Sequence, residues 1–104
     1  MTKTLASPQQ MNAADKKTQS VQPKLFKVFM LNDNYTTMEF VIEVLQSVFH
    51  KENTEATSLM LQIHRHGQAL CGLYPFEIAE TKVAKVHSQA RAAGFPLRCI
   101  LEQN

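Results

Sequence analysis

The sequence of 104 residues has little of what usually carries enzyme chemistry, with only three glycines and two cysteines. Three glycines are too few for a glycine-rich loop that would hold a phosphate group. Cys71 and Cys99 are too few and too far apart in sequence for a disulfide framework or a zinc site. The apolar neighbours Leu70 and Leu73 predict that the Cys71 thiol is buried and unreactive. Catalysis by cysteine is therefore disfavoured.

Long apolar runs are also absent. No stretch approaches the roughly 18 apolar residues of a membrane span. The first segment, MTKTLASPQQMNAADKK, lacks the run of about 7 to 15 apolar residues that a secretory signal needs. At this length one hydrophobic core is expected. We therefore expect a monomeric cytoplasmic protein with one folded domain and no membrane contact.

The chain carries no strong excess of either charge. Its net charge is +2, and residues 1–24 alone carry +3, which leaves −1 for the other residues. No basic stripe with interleaved aromatic residues is present, so nucleic-acid binding is disfavoured.

The four histidines do not form a metal-binding pattern. On a helix, His64 and His66 would point about 200° apart and could not chelate one metal ion together. Asp33 has no neighbouring carboxylate with which to form an acid/base pair. The sequence thus predicts no catalytic residue, no metal and no cofactor, and indicates a binding module.

Two regions differ in composition. Residues 1–24 are mostly polar and predict a flexible extension, because such a segment buries too little surface to offset chain entropy. Residues 25–104 predict a folded core. Its first strand spans 25–31, and Thr36 and Glu39 form a capping box that would start a helix at Thr37.

The rest of the core continues the pattern of strands and helices. Asn53 is a candidate N-cap for a second helix over about Thr54 to His66, which ends before Gly67. A strand over 69–74, a third helix that opens at Pro75 or Phe76 and ends at Gly94, and a strand over 96–102 follow. The order β-α-α-β-α-β predicts an α+β fold, with three helices packed on one face of a three-stranded antiparallel sheet.

The segment Asn32-Asp33-Asn34 admits two interpretations. Asn and Asp favour turns, so the segment can simply connect the first strand to the first helix. That helix, however, has apolar residues nearly all round, including Met38 and Val41, which predicts a second face that packs on another helix or lines a groove. Oxygen acceptors beside an apolar groove suit an amphipathic ligand. The facing wall would consist of Met60, Ile63 and His64, although a methionine stripe is also typical of an ordinary core.

Three segments resemble the ClpS adaptors of the ATP-dependent Clp protease. They are LNDNYTTMEFVIEVLQSVF, LMLQIHRHGQALCG and EIAETKVAKV, and the resemblance covers about residues 25–102. It implies a non-catalytic adaptor that binds substrates with a destabilising amino-terminal residue, the N-degrons of the bacterial N-end rule. The adaptor delivers these substrates to a ClpA-type AAA+ unfoldase, whose N-terminal domain is the expected partner.

The resemblance also assigns roles to individual residues. It implies that Asn32, Asn34 and His64 hold the α-amino group, and that Asp33 and Thr36 belong to the same polar rim. The pocket for a terminal Leu, Phe, Tyr or Trp would be lined by Met38, Val41, Met60, Ile63 and Leu97, with Met38 as a gatekeeper that disfavours β-branched side chains. Glu77, Glu80 and Lys82 would contact the unfoldase, and the amino-terminal extension would be engaged during delivery.

The chain departs from the family pattern at two positions. Asn34 stands where the family commonly has Asp, so the rim loses a negative charge, and Thr37 stands where Pro is common. Two alternatives to the adaptor remain open: a ribosomal stalk-like interaction domain in which the groove is ordinary core, and a thiol or metal enzyme.

Overall fold

The computed structural model describes residues 22–104. Its elements are, in chain order, β1 (Leu25–Leu31), α1 (Met38–Ser47), α2 (Asn53–His66), β2 (Gln68–Pro75), α3 (Phe76–Ala93) and β3 (Arg98–Gln103). The predicted α+β fold with the order β-α-α-β-α-β is therefore confirmed. Nearly all of the predicted flexible extension over 1–24 lies outside the described residues.

Strand β1 is the centre of the sheet, whose order is β2-β1-β3 with both pairings antiparallel. Met30 pairs with Ala69 on one side and with Cys99 on the other. Because all three are buried, they form part of the face that the helices cover. The dense apolar run of β1 fits a central strand, which has neighbours on both edges.

Helix α1 has apolar residues nearly all round because it packs against several other parts of the fold. Val44 and Leu45 are fully buried in the core. Phe40 is half-buried and packs against Phe95, with ring centroids 5.0 Å apart. The amino-terminal part of α1 borders a surface pocket through Met38. The predicted second face therefore exists, and it both packs on other elements and lines a groove.

The cap of α1 differs from the prediction by one residue. Helix α1 begins at Met38, and Thr37 is its N-cap, with Thr37 Oγ1 accepting a hydrogen bond from the Phe40 N–H at 3.1 Å. Thr36 was the wrong choice because its hydroxyl donates to Asp33 Oδ2 at 2.7 Å. With two adjacent threonines, the local pattern does not decide which one caps the helix.

The start of α2 also differs from the prediction. Asn53 is the first residue of α2 rather than its N-cap, and Glu52 occupies the cap position without a side-chain hydrogen bond. The Asn53 carbonyl accepts a hydrogen bond from the Thr57 hydroxyl at 2.8 Å. The amino terminus of α2 therefore lacks the predicted side-chain cap.

The predicted glycine stops of α2 and α3 are confirmed. Gly67 and Gly94 adopt left-handed backbone conformations, with φ of 91° and 82°. Residues with a Cβ reach this region only at a steric cost. The Gly67 carbonyl also accepts the Asn32 N–H at 2.9 Å, which ties the end of β1 to the end of α2.

Both cysteines are buried and free, which confirms the predicted burial of Cys71. Burial raises the pKa of the Cys71 thiol to about 12 and raises that of the Cys99 thiol as well. The two lie on strands separated by β1. Two strand spacings amount to roughly 9 to 10 Å, beyond the roughly 7 Å that a disulfide can span between Cα atoms. The pair cannot form a disulfide without moving the backbone.

Candidate functional site

The end of β1, the start of α1 and the end of α2 enclose an open surface pocket of about 220 Å³. The hydrogen bond from the Asn32 N–H to the Gly67 carbonyl holds the end of β1 against the end of α2. The pocket is lined by Asn32, Asp33, Asn34, Thr36, Met38, Val41, Met60, Ile63 and His64. It therefore joins two segments that lie far apart in sequence.

The floor of the pocket is apolar. Val41, Met60 and Ile63 are buried, and they come from the facing helices α1 and α2. Met60 and Ile63 lie one helical turn apart on the same face of α2. Met38 stands at the rim, with 45% of its surface exposed. Because Val41, Met60 and Ile63 belong to the hydrophobic core, the apolar floor is preformed.

The rim of the pocket is polar. Asn32 and Asn34 are exposed in the loop after β1, and His64 is exposed in the last turn of α2. These residues offer amide oxygens and one imidazole nitrogen as hydrogen-bond acceptors. The rim can therefore receive a group with several N–H donors, while the floor receives an apolar side chain.

The Asp33 carboxylate organises the loop. Oδ1 accepts the backbone N–H groups of Tyr35 and Thr36 at 2.8 and 2.7 Å, and Oδ2 accepts the Thr36 hydroxyl. Partial burial opposes ionisation, but these hydrogen bonds outweigh it and lower the pKa of Asp33. Sequence reasoning placed Asp33 on the rim but missed this role, although an Asp followed by Thr at i+3 is a recognisable turn pattern.

Leu97 is not among the residues that line this pocket. It is 3% exposed and borders a separate depression with His87, Arg91 and Arg98. The structure thus brings together every residue predicted for substrate binding except Leu97. Within residues 22–104 no group of three His, Cys, Asp or Glu side chains is placed to hold a metal ion.

Comparison with known proteins decides the family. The family model described as "ATP-dependent Clp protease adaptor protein ClpS" matches residues 21–100. The chain belongs to the ClpS family. It is 52% identical to the ClpS adapter of Nautilia profundicola over 80% of this chain and 86% of that one. It is 51% identical to the ClpS adapter of Wolinella succinogenes over 79% and 80%.

A solved ClpS structure shows the same fold. Agrobacterium tumefaciens ClpS2 bound to L-phenylalaninamide is 40% identical, with a TM-score of 0.77 over 80% of this chain and all of that one. ClpS proteins are adaptors of a protease rather than enzymes, so this chain is an adaptor as predicted. Within its described residues, no helix is long and apolar enough to cross a membrane.

The ClpS resemblance also implied that Glu77, Glu80 and Lys82 on α3 contact the unfoldase. In the structure these side chains differ in exposure. Glu77 and Glu80 are exposed. Lys82 is half-buried, and its Nζ donates to the Val48 carbonyl at the end of α1 at 2.8 Å. The same Nζ lies 5.1 Å from the Tyr74 ring centroid. Burial, followed by the charge of Lys85, lowers the pKa of Lys82. Sequence reasoning missed the contact with Val48 because no local pattern links these residues.

Proposed function

We propose that this chain captures the free amino terminus of proteins that begin with Leu, Phe, Tyr or Trp and delivers them to a ClpA-type unfoldase of the Clp protease. The observation that carries the proposal is the combination, in one pocket, of a rim of acceptors and a buried apolar floor. The ligand of Agrobacterium tumefaciens ClpS2 supports it, because L-phenylalaninamide has an α-amino group, a large apolar side chain and an amide in place of a carboxylate.

The charge of the ligand explains the need for acceptors. An α-amino group has a pKa near 7.7 to 8.0 and is mostly cationic at neutral pH. Asn32, Asn34 and His64 supply the acceptors at the rim. An acetylated terminus has lost the positive charge and two donors, so it leaves acceptors unpaired at a cost of about 1 to 3 kcal/mol for each acceptor that the bound ligand covers. Capture of an amino terminus is an established mode of peptide recognition.

The side-chain pocket supplies the second part of the affinity. Each Å² of the ligand's apolar surface that Val41, Met60 and Ile63 cover contributes about 25 cal/mol to the free energy of binding. Met38 stands at the entrance, where it would hinder side chains branched at Cβ. Selection thus rests on the amine and on the first side chain together.

Delivery requires a second surface. The exposed carboxylates of Glu77 and Glu80 on α3 would contact the unfoldase, with Lys82 on the same helix and the extension over 1–24 as further contacts. An ATP-dependent protease needs a compartment that contains ATP, which is consistent with action of the adaptor in the cytoplasm.

Fluorescence anisotropy with a labelled peptide that begins with Phe tests amine capture. The free-amine peptide should bind saturably, whereas its acetylated copy should bind at least tenfold more weakly, because unpaired acceptors cost about 1.4 kcal/mol or more. His64→Ala should weaken binding, and His66→Ala, on an exposed residue of the same helical turn, should not. Equal binding of the two peptides would refute the proposal and favour a stalk-like interaction domain.

A further inference from the structure

The surface pocket between β1, α1 and α2, called the amine pocket below, shares lining residues with a second depression, which in turn shares residues with a third. A shallow depression lined by Leu31, Asn32, Asp33, Pro96 and Arg98 shares Asn32 and Asp33 with the amine pocket. It shares Pro96 and Arg98 with a third depression of about 260 Å³. The third depression is lined by His87, Ala90, Arg91, Phe95, Pro96, Leu97 and Arg98. We call this third depression the arginine pocket.

The arginine pocket is cationic. Arg91 lies in the last turn of α3 and Arg98 is the first residue of β3, and both are exposed. Among residues 22–104 neither arginine has a carboxylate within 4.0 Å, and no acidic residue lines the pocket. His87 Nε2 accepts the Cys99 N–H at 3.1 Å, so this imidazole is neutral and contributes no charge to the pocket.

The shared residues imply a direction for the substrate chain. Because Asn32 and Asp33 line both depressions, a substrate whose first residue occupies the amine pocket can place its second residue over the shallow depression. Asp33 borders that depression and disfavours an acidic second residue. The third and fourth residues then reach the two arginines, whose planar guanidinium groups match a carboxylate.

We propose that the arginine pocket binds an acidic side chain at position three or four of the substrate. The adaptor thereby prefers amino termini that are followed by Asp or Glu at these positions. The inference rests on the proposed capture of the amino terminus and adds a second specificity element to it.

Peptides that differ at one position test the preference. Labelled peptides that begin Phe-Ala-Ala-Ala are compared with copies carrying Glu or Gln at position two, three or four. Glu at position three or four should bind roughly two- to fivefold more tightly than Gln, as expected for an exposed ion pair, and the difference should shrink as salt is added. Glu at position two should give no gain.

Charge variants assign the effect to the arginine pocket. Arg98→Gln and Arg91→Gln should lower the affinity for the Glu peptides to that for the matching Gln peptides. Arg98→Glu should reverse the charge preference, so that a copy with Lys at position three or four binds more tightly than the Gln copy. Lys85→Gln is the matched control, because it removes the same charge from an exposed position of α3 outside the pocket. Loss of the preference in Lys85→Gln as well would attribute it to net charge and overturn the proposal.

The outcomes separate this inference from the function on which it rests. If the peptides bind but Glu and Gln give equal affinities at positions three and four, the arginine pocket plays no part and amine capture stands. If no peptide that begins with Phe binds, the proposed function itself fails.

Discussion

If the pocket binds an amine as proposed, the amide at position 34 sets how much negative charge faces that amine. Among residues 22–104, Asp33 is the only acidic residue that lines the amine pocket, and its carboxylate oxygens already accept three hydrogen bonds from the loop. In the proposed complex, the amine would therefore be received mainly by neutral acceptors. This arrangement favours a modest affinity with little dependence on salt.

We predict that Asn34→Asp tightens the binding of free-amine peptides by roughly three- to tenfold, since a hydrogen bond to a charged group is stronger than one between neutral groups. Titrations at low and high salt should show that the gain is largest at low salt. The acetylated peptide is the control and should gain nothing. An unchanged affinity for the free amine would show that the side chain of residue 34 does not contact it.

At the scale of elements, Lys82 connects α3 to the end of α1. Its ammonium caps a carbonyl at a helix carboxyl terminus, where a positive charge is favourable, and it lies over two aromatic rings, those of Phe49 and Tyr74. The resemblance assigns this residue to the partner surface, but the structure gives it an internal role. A variant of Lys82 that fails in delivery therefore does not by itself identify a contact with the unfoldase.

We predict that Lys82→Met lowers the free energy of unfolding by about 1 kcal/mol, through loss of the cap and of the cation–π contacts. Urea denaturation measures the change. Lys85→Met, three residues along the same helix and exposed, should change stability by less than about 0.5 kcal/mol. Equal effects of the two variants would show that the contact with Val48 contributes nothing. Because Glu77 is exposed, Glu77→Gln is the better test of the proposed unfoldase contact.

For the whole molecule, His87 links the last helix to the last strand and makes folding sensitive to pH. Burial, followed by the charges of Arg98 and Arg91, lowers the pKa of His87 below its usual 6.5. Protonation would also remove the acceptor of the Cys99 N–H. The unfolded chain therefore takes up this proton at a higher pH than the folded chain does.

It follows that the stability contributed by neutral His87 is complete above about pH 6.5 and declines as the pH falls from there toward the lower pKa of the folded state. We predict that urea midpoints measured from pH 8 to pH 5 fall less steeply for His87→Gln than for the natural chain. The glutamine side chain keeps an oxygen acceptor but does not titrate. Parallel curves would show that the titration of His87 is not linked to folding.

Much of the fold was predictable because its signals are local. The apolar run of β1, the helical spacing on α2 and the glycines after α2 and α3 each depend on neighbouring residues, and all appear where expected. The residues of the candidate pocket were also predictable, largely through resemblance, because they fall in two short segments, 32–41 and 60–64. Leu97 was placed there too, yet it borders the arginine pocket. The bond from Lys82 to Val48 spans 34 residues, and no local signal predicts such a contact.

The sequence by itself determined the order of strands and helices, the buried thiols and the acceptor-rich loop between β1 and α1. Periodicity, turn preference and capping act over a few residues and can be read from the chain. Only the tertiary structure decided that β1 is the central strand, that Thr37 rather than Thr36 caps α1, and that three depressions adjoin one another. These features depend on which distant surfaces pack together and on which of two available hydrogen-bond partners a side chain such as Thr36 takes.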